Sequence, residues 1–512
     1  MTLKQSLRCG VAVTFLALLA AGSTAAEHLP SPGVGVFITA GQTAALREKI
    51  RRPPCQALYQ AILKDADASL AKWPADRERL HQIAPKLLDL TMEAVPATYA
   101  PEGGKEASKL LEQYAVRGAP NAAFVYLMTG DRRYADFAWD IFTACAKTGR
   151  WGWFPWDGSH MPQIHYGTIS RNMVLVADCA NDALTPAQRQ QAREVIAEKV
   201  VEPYFRIVLH TPGMGLYHLR SVNQGNNALG AAVAGSAFVG DAVPDNRLWQ
   251  RSLVQTLHWA ITHDIGWMGQ HLESGIGGYW SISVQNLYTA AAALANVRGI
   301  DLRCHPGFDQ ATYYPIIHEV TVPPVGPFRD PIPTDADPQV MGIIAGKPVE
   351  LPAANVTCGP WWLDFAMRAP ESPAMYFIRK HLVQGDRVRT VDCHQGALSN
   401  ILTMTWWDDR LNAPAPAPTG LAQFTDRMAG VRSGYGFGDT YLYFNGDLVL
   451  TARKEFLGCT SGIRVERGCF RRREGRGLRA GLDHEVLGHR RRVERSSGIW
   501  QVGGRHTKTG PR

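Results

Sequence analysis

Two polar segments of the chain carry side chains suited to proton transfer. Ser221-Val-Asn-Gln-Gly-Asn-Asn227 opens a run of small residues, and Glu273-Ser-Gly-Ile-Gly-Gly-Tyr-Trp280 places a tyrosine on a glycine-rich turn before a helical run. A phenol can take up and return a proton, and neutral amides can stabilise the negative charge that builds on a carboxyl group. The two segments are therefore predicted to remove a proton beside a carboxylate without the help of a metal.

Tyr279 is the candidate for the group that removes the proton and then protonates the leaving oxygen. The glycines before it permit close approach of a ligand. A phenol has a pKa of about 10, so nearby positive charge is needed to make the phenolate accessible. The alternative for Tyr279 is an aromatic side chain that packs at the start of a helix. Tyr288, further along the same run, is predicted to lie in the core.

Asn223, Asn226 and Asn227 are the candidates for binding the carboxylate. The alternative is helix capping, which asparagine does well. Three asparagines and a glutamine within five residues exceed what capping needs. No histidine lies in this segment, so the segment itself offers no second group for proton transfer.

Several further polar and aromatic residues are candidates for assisting Tyr279 or lining a cleft, and each has a structural alternative. His271 is a candidate catalytic residue that could tune the phenol, or an ordinary surface histidine. Exposed tryptophans can stack on apolar ring faces, whereas buried ones pack between helices. The candidate binding residues are His165, Tyr166, Arg171, His218, Arg220, Glu273, Trp280 and, in the aromatic loop Trp151-Gly-Trp-Phe-Pro-Trp156, Trp153.

The elements that would position these residues read as paired helices. Thr39–Ile50 has a helix start, and Thr185, Pro186 and Gln188 form a capping-box pattern at the start of another helix. The segment Ala228–Val239 is almost entirely small or apolar, which predicts a helix buried on most sides. The further predicted helices are Ala122–Thr129, Tyr134–Cys145, Ile169–Cys179, Gln188–Val201, Leu253–Thr262, Ser283–Asn296, Leu351–Arg379 and Ser399–Trp407.

The pattern changes after the Pro-rich segment Ala413-Pro-Ala-Pro-Ala-Pro-Thr419. Alternating, aromatic-rich residues at 427–434 and 439–444 predict strands. Beyond Phe456 the chain is rich in Arg and Gly, which has two interpretations: a disordered basic tail, or a gene read out of frame. Residues 464–512 hold 13 Arg and 1 Lys against 4 Glu and 1 Asp, a net +9, whereas the whole chain carries +8. The rest is therefore close to neutral, and net charge predicts neither a nucleic-acid nor any other polyanionic partner.

The N-terminus has the pattern of a secretory signal peptide. A basic start precedes the apolar residues 11–21 and a small-residue end near Ala26. Export to the periplasm or medium is expected, with no membrane span after cleavage. The cysteines show no CxxC pair or zinc-ligand spacing. A disulfide between Cys358 and Cys393 is one interpretation, and buried free thiols are the other.

In order and approximate spacing, these pieces resemble the heparinase II/III-like polysaccharide lyases. The resemblance rests on Leu184-Thr-Pro-Ala-Gln-Arg189, the Asn-rich segment, Gly278-Tyr-Trp280, and Met428-Ala-Gly-Val-Arg-Ser-Gly434 followed by Asp439-Thr-Tyr-Leu-Tyr-Phe444. It covers roughly residues 36–450. It implies a mainly α fold, an incomplete (α/α) toroid of paired helices followed by the start of an antiparallel β-sandwich that is truncated.

The resemblance also implies an activity. It predicts β-elimination on a uronic-acid polysaccharide, with Tyr279 as base and acid, Asn226 or Asn227 on the carboxylate, His271 and Arg220 assisting, and neither cofactor nor metal. Similar enzymes carry a histidine from the sandwich, and none is found at 451–456. The alternatives are a glycoside hydrolase, with Glu273 and Asp264 as its carboxylates, and a non-catalytic polysaccharide-binding protein. The predicted domains are a signal peptide at 1–26, a toroid at 27–412, the start of the sandwich at 413–456 and an anomalous tail at 457–512.

Overall fold

In the computed structural model of the protein, the chain is mostly helical, as the sequence predicts at this level. The predicted signal segment and Trp153 lie outside the described residues, as does the tail apart from one strand. The described residues are 29–89, 104–148, 151, 164–205, 223–265, 278–318, 343–344, 347–348, 359–372, 374–384, 387–388, 390, 392–413, 421–424, 428–432, 440–445 and 462–467.

Sixteen α-helices are found in the part of the chain that the structure describes. In chain order they are α1 (Ala40–Lys49), α2 (Cys55–Ile83), α3 (Pro85–Asp89), α4 (Gly104–Gln113), α5 (Ala119–Thr129), α6 (Arg132–Ala146), α7 (Ile164–Cys179), α8 (Pro186–Ile196), α9 (Glu202–Tyr204), α10 (Asn223–Val239), α11 (Asn246–Ala260), α12 (Gly278–Arg298), α13 (Pro306–His318), α14 (Trp361–Arg368), α15 (Ala374–Phe377) and α16 (Ala397–Trp406). Turns of π-helix extend α4, α8, α11 and α15 at Tyr114–Gly118, Ala197–Val201, Ile261–Ile265 and Ile378–Leu382.

Two helix starts form as their local sequence predicts. Thr39 caps α1 by accepting from the Gln42 backbone N–H, and the Gln42 side chain accepts from the Thr39 backbone N–H. Thr185 and Gln188 form the same reciprocal pair at α8, with Pro186 in the first turn. Each box satisfies backbone donors that a helix start otherwise leaves unpaired.

The strands are short and antiparallel. The pairs β1 (Ile343–Ile344) with β2 (Lys347–Pro348), and β3 (Val383–Gln384) with β4 (Arg387–Val388), form two-residue ladders. A four-stranded sheet follows in sequence order, with Val431 opposite Leu442 and Thr440 opposite Arg467. Its strands are β5 (Leu421–Phe424), β6 (Met428–Arg432), β7 (Thr440–Asn445) and β8 (Gly462–Arg467). β6 and β7 lie within the two segments that the alternation predicts as strands, and β8 lies within the Arg-rich tail.

Helices α10 and α12 run parallel and pack closely. A β-carbon added at Gly230 in α10 would lie 2.8 Å from the Asn286 carbonyl oxygen in α12. At the other end, one added at Gly240, directly after α10, would lie 3.8 Å from the Arg298 guanidinium, at the end of α12. Two contacts in the same order along both helices fix a common direction. Their N-terminal ends therefore lie at the same end of the pair.

Helix α7 shares this direction. Near its start, a β-carbon at Gly167 would lie 2.5 Å from the Asn227 carbonyl oxygen in the first turns of α10. Near its C-terminal end, Asp178 accepts from the Val36 backbone N–H at 2.7 Å. The Val36 carbonyl accepts from Asn296, close to the end of α12. The starts of α7, α10 and α12 therefore converge.

Helices α14, α16 and α5 extend the parallel set. Gln285 and Tyr288 of α12 contact Trp361 and Asp364 of α14 in the same order. The residue before α16, Gly396, lies against Val116 just before α5.

The far ends of α5 and α16 meet on α1, where Arg47 donates to Leu127 of α5 and Lys49 donates to Thr405 of α16. The helices contact one another in the cyclic order α5, α7, α10, α12, α14, α16 and back to α5. Six helix starts thus lie at one end of this part of the fold.

The cysteines of the described residues are free thiols. Cys55, Cys145, Cys179 and Cys393 are buried, and Cys304 is exposed. The expectation of a bond between Cys393 and Cys358 is therefore wrong, since Cys393 is free; Cys358 itself lies outside the described residues. Burial raises the pKa of Cys55 to about 11 and that of Cys145 to about 12. These thiols are protonated at neutral pH and act as small apolar side chains.

Within the residues that the structure describes, no helix is both long and apolar enough to cross a bilayer. Tyr288, predicted to lie in the core, is buried, as are Trp406, Trp407 and every residue from Ala228 to Val239. The residues of α10 are small, so the neighbouring helices approach it closely. The segment Ala228–Val239 is therefore buried on all sides, which explains why it has no polar face.

Replacing Gly167 by alanine should destabilise the protein, because the added methyl group overlaps the Asn227 backbone. We expect the free energy of unfolding, measured by urea denaturation with circular dichroism, to fall by about 1–3 kcal/mol. Gly41→Ala on α1 is the matched control, since its β-carbon would have 4.0 Å of clearance and alanine favours helix by up to about 1 kcal/mol. Equal stability of the two variants would contradict the close approach of α7 and α10.

Candidate active site

The Asn-rich segment forms the first turn of α10. Asn223, Asn226 and Asn227 are all buried. The sequence leaves open whether these amides cap a helix or bind a ligand. Asn227 has a different role: its Oδ1 atom and its backbone carbonyl both accept hydrogen bonds from Arg171. Its amide therefore fixes a guanidinium at the start of the central helices.

Arg171 is fully buried between α7 and α10. Its Nη1 atom donates to the Asn227 carbonyl at 2.8 Å, and Nη2 donates to Asn227 Oδ1 and, at 3.0 Å, to the His394 carbonyl. Burial lowers the pKa of Arg171 to about 9, against the opposing effect of the Asp392 carboxylate. The guanidinium still carries its charge at neutral pH, and its hydrogen-bond acceptors are neutral oxygens.

The third acceptor belongs to a strained turn, Asp392–Gly396, which we call the 392–396 turn. Cys393 and His394 have φ angles of 49° and 55°, in the left-handed region that non-glycine residues rarely adopt. Asp392 Oδ1 holds the turn by accepting from the Gln395 and Gly396 backbone N–H groups at 2.9 and 2.7 Å. Such strain persists only where surrounding contacts over-determine it, and it clusters at functional sites.

A chain of buried amides ties this turn to two helices. Asn172 of α7 donates to the Gln395 carbonyl at 2.8 Å, and Gln395 donates to Asn286 Oδ1 of α12. Oε1 of Gln395 is buried without a partner among the described residues. Thr168 donates to the His394 carbonyl at 2.7 Å, beside the bond from Arg171. The turn is thereby fixed against α7 and α12 at the end where the helices start.

Two imidazoles lie beside this cluster. His165 Nδ1 is 2.6 Å from Glu112 Oε1, and its side chain is 43% exposed. The hydrogen bond with Glu112 raises the pKa of His165, while burial opposes the shift. The His394 residue is exposed. The protein around its ring lowers the pKa of His394, the positive charges of His165 and Arg171 lower it further, and Asp392 opposes them.

Tyr279 is the second residue of α12, and its side chain is not among those that the structure describes. Its backbone can still be located. Counting back seven residues from the Gly230–Asn286 contact reaches Asn223 on α10 and Tyr279 on α12. With a rise of about 1.5 Å per residue, both backbones lie about 10 Å beyond that contact. The structure thus brings the start of the Asn segment and the Tyr279 backbone to the same level.

The other predicted site residues divide into two groups. Tyr166 is fully buried and donates its hydroxyl to the Val200 carbonyl, and Trp280 is fully buried with its ring 6.4 Å from that of Trp361. These two side chains pack in the core, which corrects the expectation that they line a cleft. Asp264, a carboxylate of the hydrolase alternative, is also fully buried. The predicted residues that lie outside the described ranges are His218, Arg220, His271, Glu273 and Trp153.

Sequence reasoning missed the 392–396 turn. It considered Cys393 only for a disulfide and did not consider Asp392, His394 or Gln395. A usable signal exists, because Asp-Cys-His-Gln-Gly directly precedes a helix, and the Asn segment likewise lies at a helix start. Polar residues at helix starts meet at one end when the helices are parallel. The parallel arrangement itself cannot be read from the local sequence.

Helix starts and a buried guanidinium contribute positive charge at this end of the fold, and the Asp392 and Glu112 carboxylates contribute negative charge beside them. Peptide dipoles leave partial positive charge at the start of each helix, and six helices start at this end, with Arg171 among them. In the described part of the chain, no group of three or more His, Cys, Asp or Glu side chains is arranged to hold a metal ion.

Compared with known proteins, the chain matches no family model and no curated protein. The chemistry of the site must therefore carry the functional assignment.

Replacing Arg171 by lysine keeps the charge but loses the planar fork that serves Asn227 twice. An ammonium group cannot satisfy both oxygens and the His394 carbonyl with the same geometry. We expect the free energy of unfolding in urea to fall by about 1–3 kcal/mol. Arg51→Lys is the matched control: Arg51 pairs with Glu48 on the surface, and its loss should cost less than about 0.5 kcal/mol. A neutral effect of Arg171→Lys would show that charge alone suffices there.

The pKa values of the two imidazoles should differ from that of an unperturbed histidine in opposite directions. We expect a pH titration followed by NMR of labelled histidines to give a pKa above about 6.5 for His165 and below about 6.5 for His394. Glu112→Gln removes the acceptor that favours the charged form, so the pKa of His165 should fall. As His165 then loses its charge at lower pH, its effect on His394 should weaken. A reversed order of the two pKa values would contradict the contacts described above.

Proposed function

We propose that the protein is an exported polysaccharide lyase that cleaves a uronic-acid polymer by β-elimination. The observation that supports this most is the convergence of amide side chains, a buried guanidinium and the Tyr279 backbone where parallel helices start. β-Elimination begins with the loss of the C5 proton beside a carboxylate, whose negative charge makes that proton hard to remove. A site that favours anions lowers this barrier because it stabilises the charge that develops on the carboxyl oxygens.

Asn226 is the amide that we propose for the substrate carboxylate. Asn227 holds Arg171 through its Oδ1 atom and its backbone carbonyl, and we assign it a positioning role. Arg171 supplies a fixed positive charge beneath the amides. Because its hydrogen-bond acceptors are neutral, much of its field reaches the site. His271 and Arg220, from segments close in sequence to Tyr279 and Asn223, complete the proposed set of assisting groups.

Tyr279 is the group that we propose for proton transfer. In the simplest scheme its phenolate takes the C5 proton and returns it to the leaving O4 atom on the same face of the ring. Positive charge near the phenol favours the phenolate, and Arg171 and the dipoles of the helix starts supply it. Tyr279 and Asn223 start their helices at the same height, and packed helix axes are about 8–10 Å apart. We therefore propose that the hydroxyl and the amides act on one sugar residue.

The proposed architecture is an incomplete (α/α) toroid followed by the start of an antiparallel β-sandwich. Support for the toroid comes from the cyclic contact order of six parallel helices, with further helices between them in the sequence. Support for the sandwich is limited to the four-stranded antiparallel sheet that follows Pro414–Pro418. The resemblance to heparinase II/III-like lyases agrees with both, and the signal-peptide pattern of the N-terminus favours a substrate outside the cytoplasm.

Tyr279→Phe should abolish turnover, because phenylalanine can neither take nor give a proton. The purified chain is incubated with alginate, heparin, chondroitin sulfate and a bacterial uronate exopolysaccharide. The new C=C bond of the product is followed by its near-ultraviolet absorbance, and new reducing ends are counted in parallel. We expect a loss of about 10²-fold or more in kcat. Tyr59→Phe on α2, a tyrosine that packs on Phe124, is the matched control and should retain activity.

The same measurement separates the competing functions. New reducing ends without absorbance would indicate a glycoside hydrolase, and binding without either signal would indicate a polysaccharide-binding protein. Either result, or full activity of Tyr279→Phe, would overturn the proposed mechanism.

A further inference from the structure

The start of helix α13 is capped by a histidine side chain. His305 directly precedes Pro306, the first residue of α13, and its Nδ1 atom accepts a hydrogen bond from the Gly307 backbone N–H at 3.0 Å. Helix starts are more often capped by the side-chain oxygens of Ser, Thr, Asp or Asn. An imidazole nitrogen can accept a hydrogen bond only while the ring is neutral. The cap of α13 therefore depends on the protonation state of His305.

The other nitrogen of this ring faces the π turn Ile261–Ile265, which extends α11. Nε2 of His305 is 3.3 Å from Thr262 Oγ1, and the Thr262 hydroxyl donates to the His258 carbonyl at 2.8 Å. Because Nδ1 is an acceptor, Nε2 carries the proton of the neutral ring and donates it to Thr262. The neutral imidazole thus links the first turn of α13 to the end of α11.

A second imidazole lies against this ring. The centroids of the His258 and His305 rings are 5.7 Å apart, and the rings meet edge to face at 84°. His258 is exposed, whereas His305 is buried. Burial lowers the pKa of His305, and the positive charge of His258 lowers it further. The titratable groups of the surrounding elements are His258, His263, Asp264, Arg303, Cys304 and Asp309.

The residues just after the cap anchor α13 to the core. Phe308 is fully buried, and its ring centroid lies 4.9 Å from that of Tyr288 on α12 and 6.4 Å from that of Trp361 on α14. Helix α13 also contacts strands β5 and β6. A change at the start of α13 therefore acts on an element that contacts both the central helices and the four-stranded sheet.

We propose that His305 and His258 form an acid-sensitive latch, which releases the first turn of α13 from the π turn when His305 binds a proton. Protonation turns Nδ1 from an acceptor into a donor, so the buried Gly307 N–H loses this partner. It also places positive charge at a helix start, where the helix dipole disfavours it, and beside His258. No covalent bond changes, and the inference does not depend on the proposed lyase function.

The shift of the His305 pKa gives the direction of the effect. This pKa is lower in the folded protein than the value of about 6.5 expected in an unfolded chain. The stabilising contribution of His305 is therefore complete above about pH 6.5, and it is lost as the pH falls through the folded pKa. Because Phe308 remains anchored in the core, we expect local opening of the first turn of α13 rather than unfolding of the protein.

Hydrogen–deuterium exchange of the native full-length chain measures this opening in peptides that cover residues 299–318. After correction for the pH dependence of intrinsic exchange, we expect protection at the start of α13 to fall about 3–10-fold between about pH 7.5 and about pH 5.5, since uptake of one proton permits at most about a tenfold change per pH unit. Peptides of α5 should keep their protection and serve as the internal reference.

Two variants test the latch residues separately. His305→Asn should remove the acid-dependent fall, because asparagine caps a helix start and cannot take up a proton in this range. His258→Gln should move the midpoint of the fall to higher pH, because it removes the positive charge that opposes protonation of His305. His81→Gln, at an exposed histidine in the last turn of α2, is the matched control and should change neither the fall nor its midpoint.

The latch is overturned if protection at the start of α13 does not fall in the wild type as the pH is lowered. A fall of the same size in His305→Asn as in the wild type would also overturn it. If His305→Asn does not fold at about pH 7.5, as judged by circular dichroism, the comparison of His258→Gln with the wild type decides. An unchanged midpoint in His258→Gln would then contradict the proposal, and a midpoint at higher pH would support it.

Discussion

The buried charge of Arg171 is the constraint on which the arrangement at the helix starts depends. A guanidinium inside protein is costly unless hydrogen bonds replace its water. Asn227 supplies two oxygens and His394 supplies a third, so one side chain ties α7 to α10 and to the 392–396 turn. Because these acceptors are neutral, they solvate the charge without cancelling it. The Asp392 carboxylate interacts with this charge, but the hydrogen bonds of the guanidinium go to the neutral oxygens.

The opposite end of α7 also holds a buried charge that hydrogen bonds stabilise, and there the charge is negative. Asp178 is fully buried near the C-terminal end of the helix, where the helix dipole disfavours a negative charge. Backbone N–H groups of Val34, Gly35 and Val36 donate to its carboxylate. Burial raises the pKa of Asp178, and these bonds oppose the shift. The N-terminal segment is thereby bound at one end of the helix set, which leaves the end with the helix starts for chemistry.

Local sequence predicted the elements better than it predicted their contacts. The capping boxes at Thr39 and Thr185 are complete within four residues, so a single sequence suffices to find them. The Asn segment was also recognisable, since its composition exceeds what a cap requires. The bond from Arg171 to the His394 carbonyl, by contrast, spans 223 positions of the chain. No periodicity or spacing encodes such a pair, because it exists only once parallel helices bring their starts together.

The 392–396 turn shows how contacts from neighbouring helices hold a strained backbone in place. Its backbone satisfies Arg171 and Thr168, which requires a carbonyl oriented inward and therefore a left-handed residue at position 394. Any residue that tolerates this conformation meets that need, and asparagine or glycine would do so with less strain than histidine.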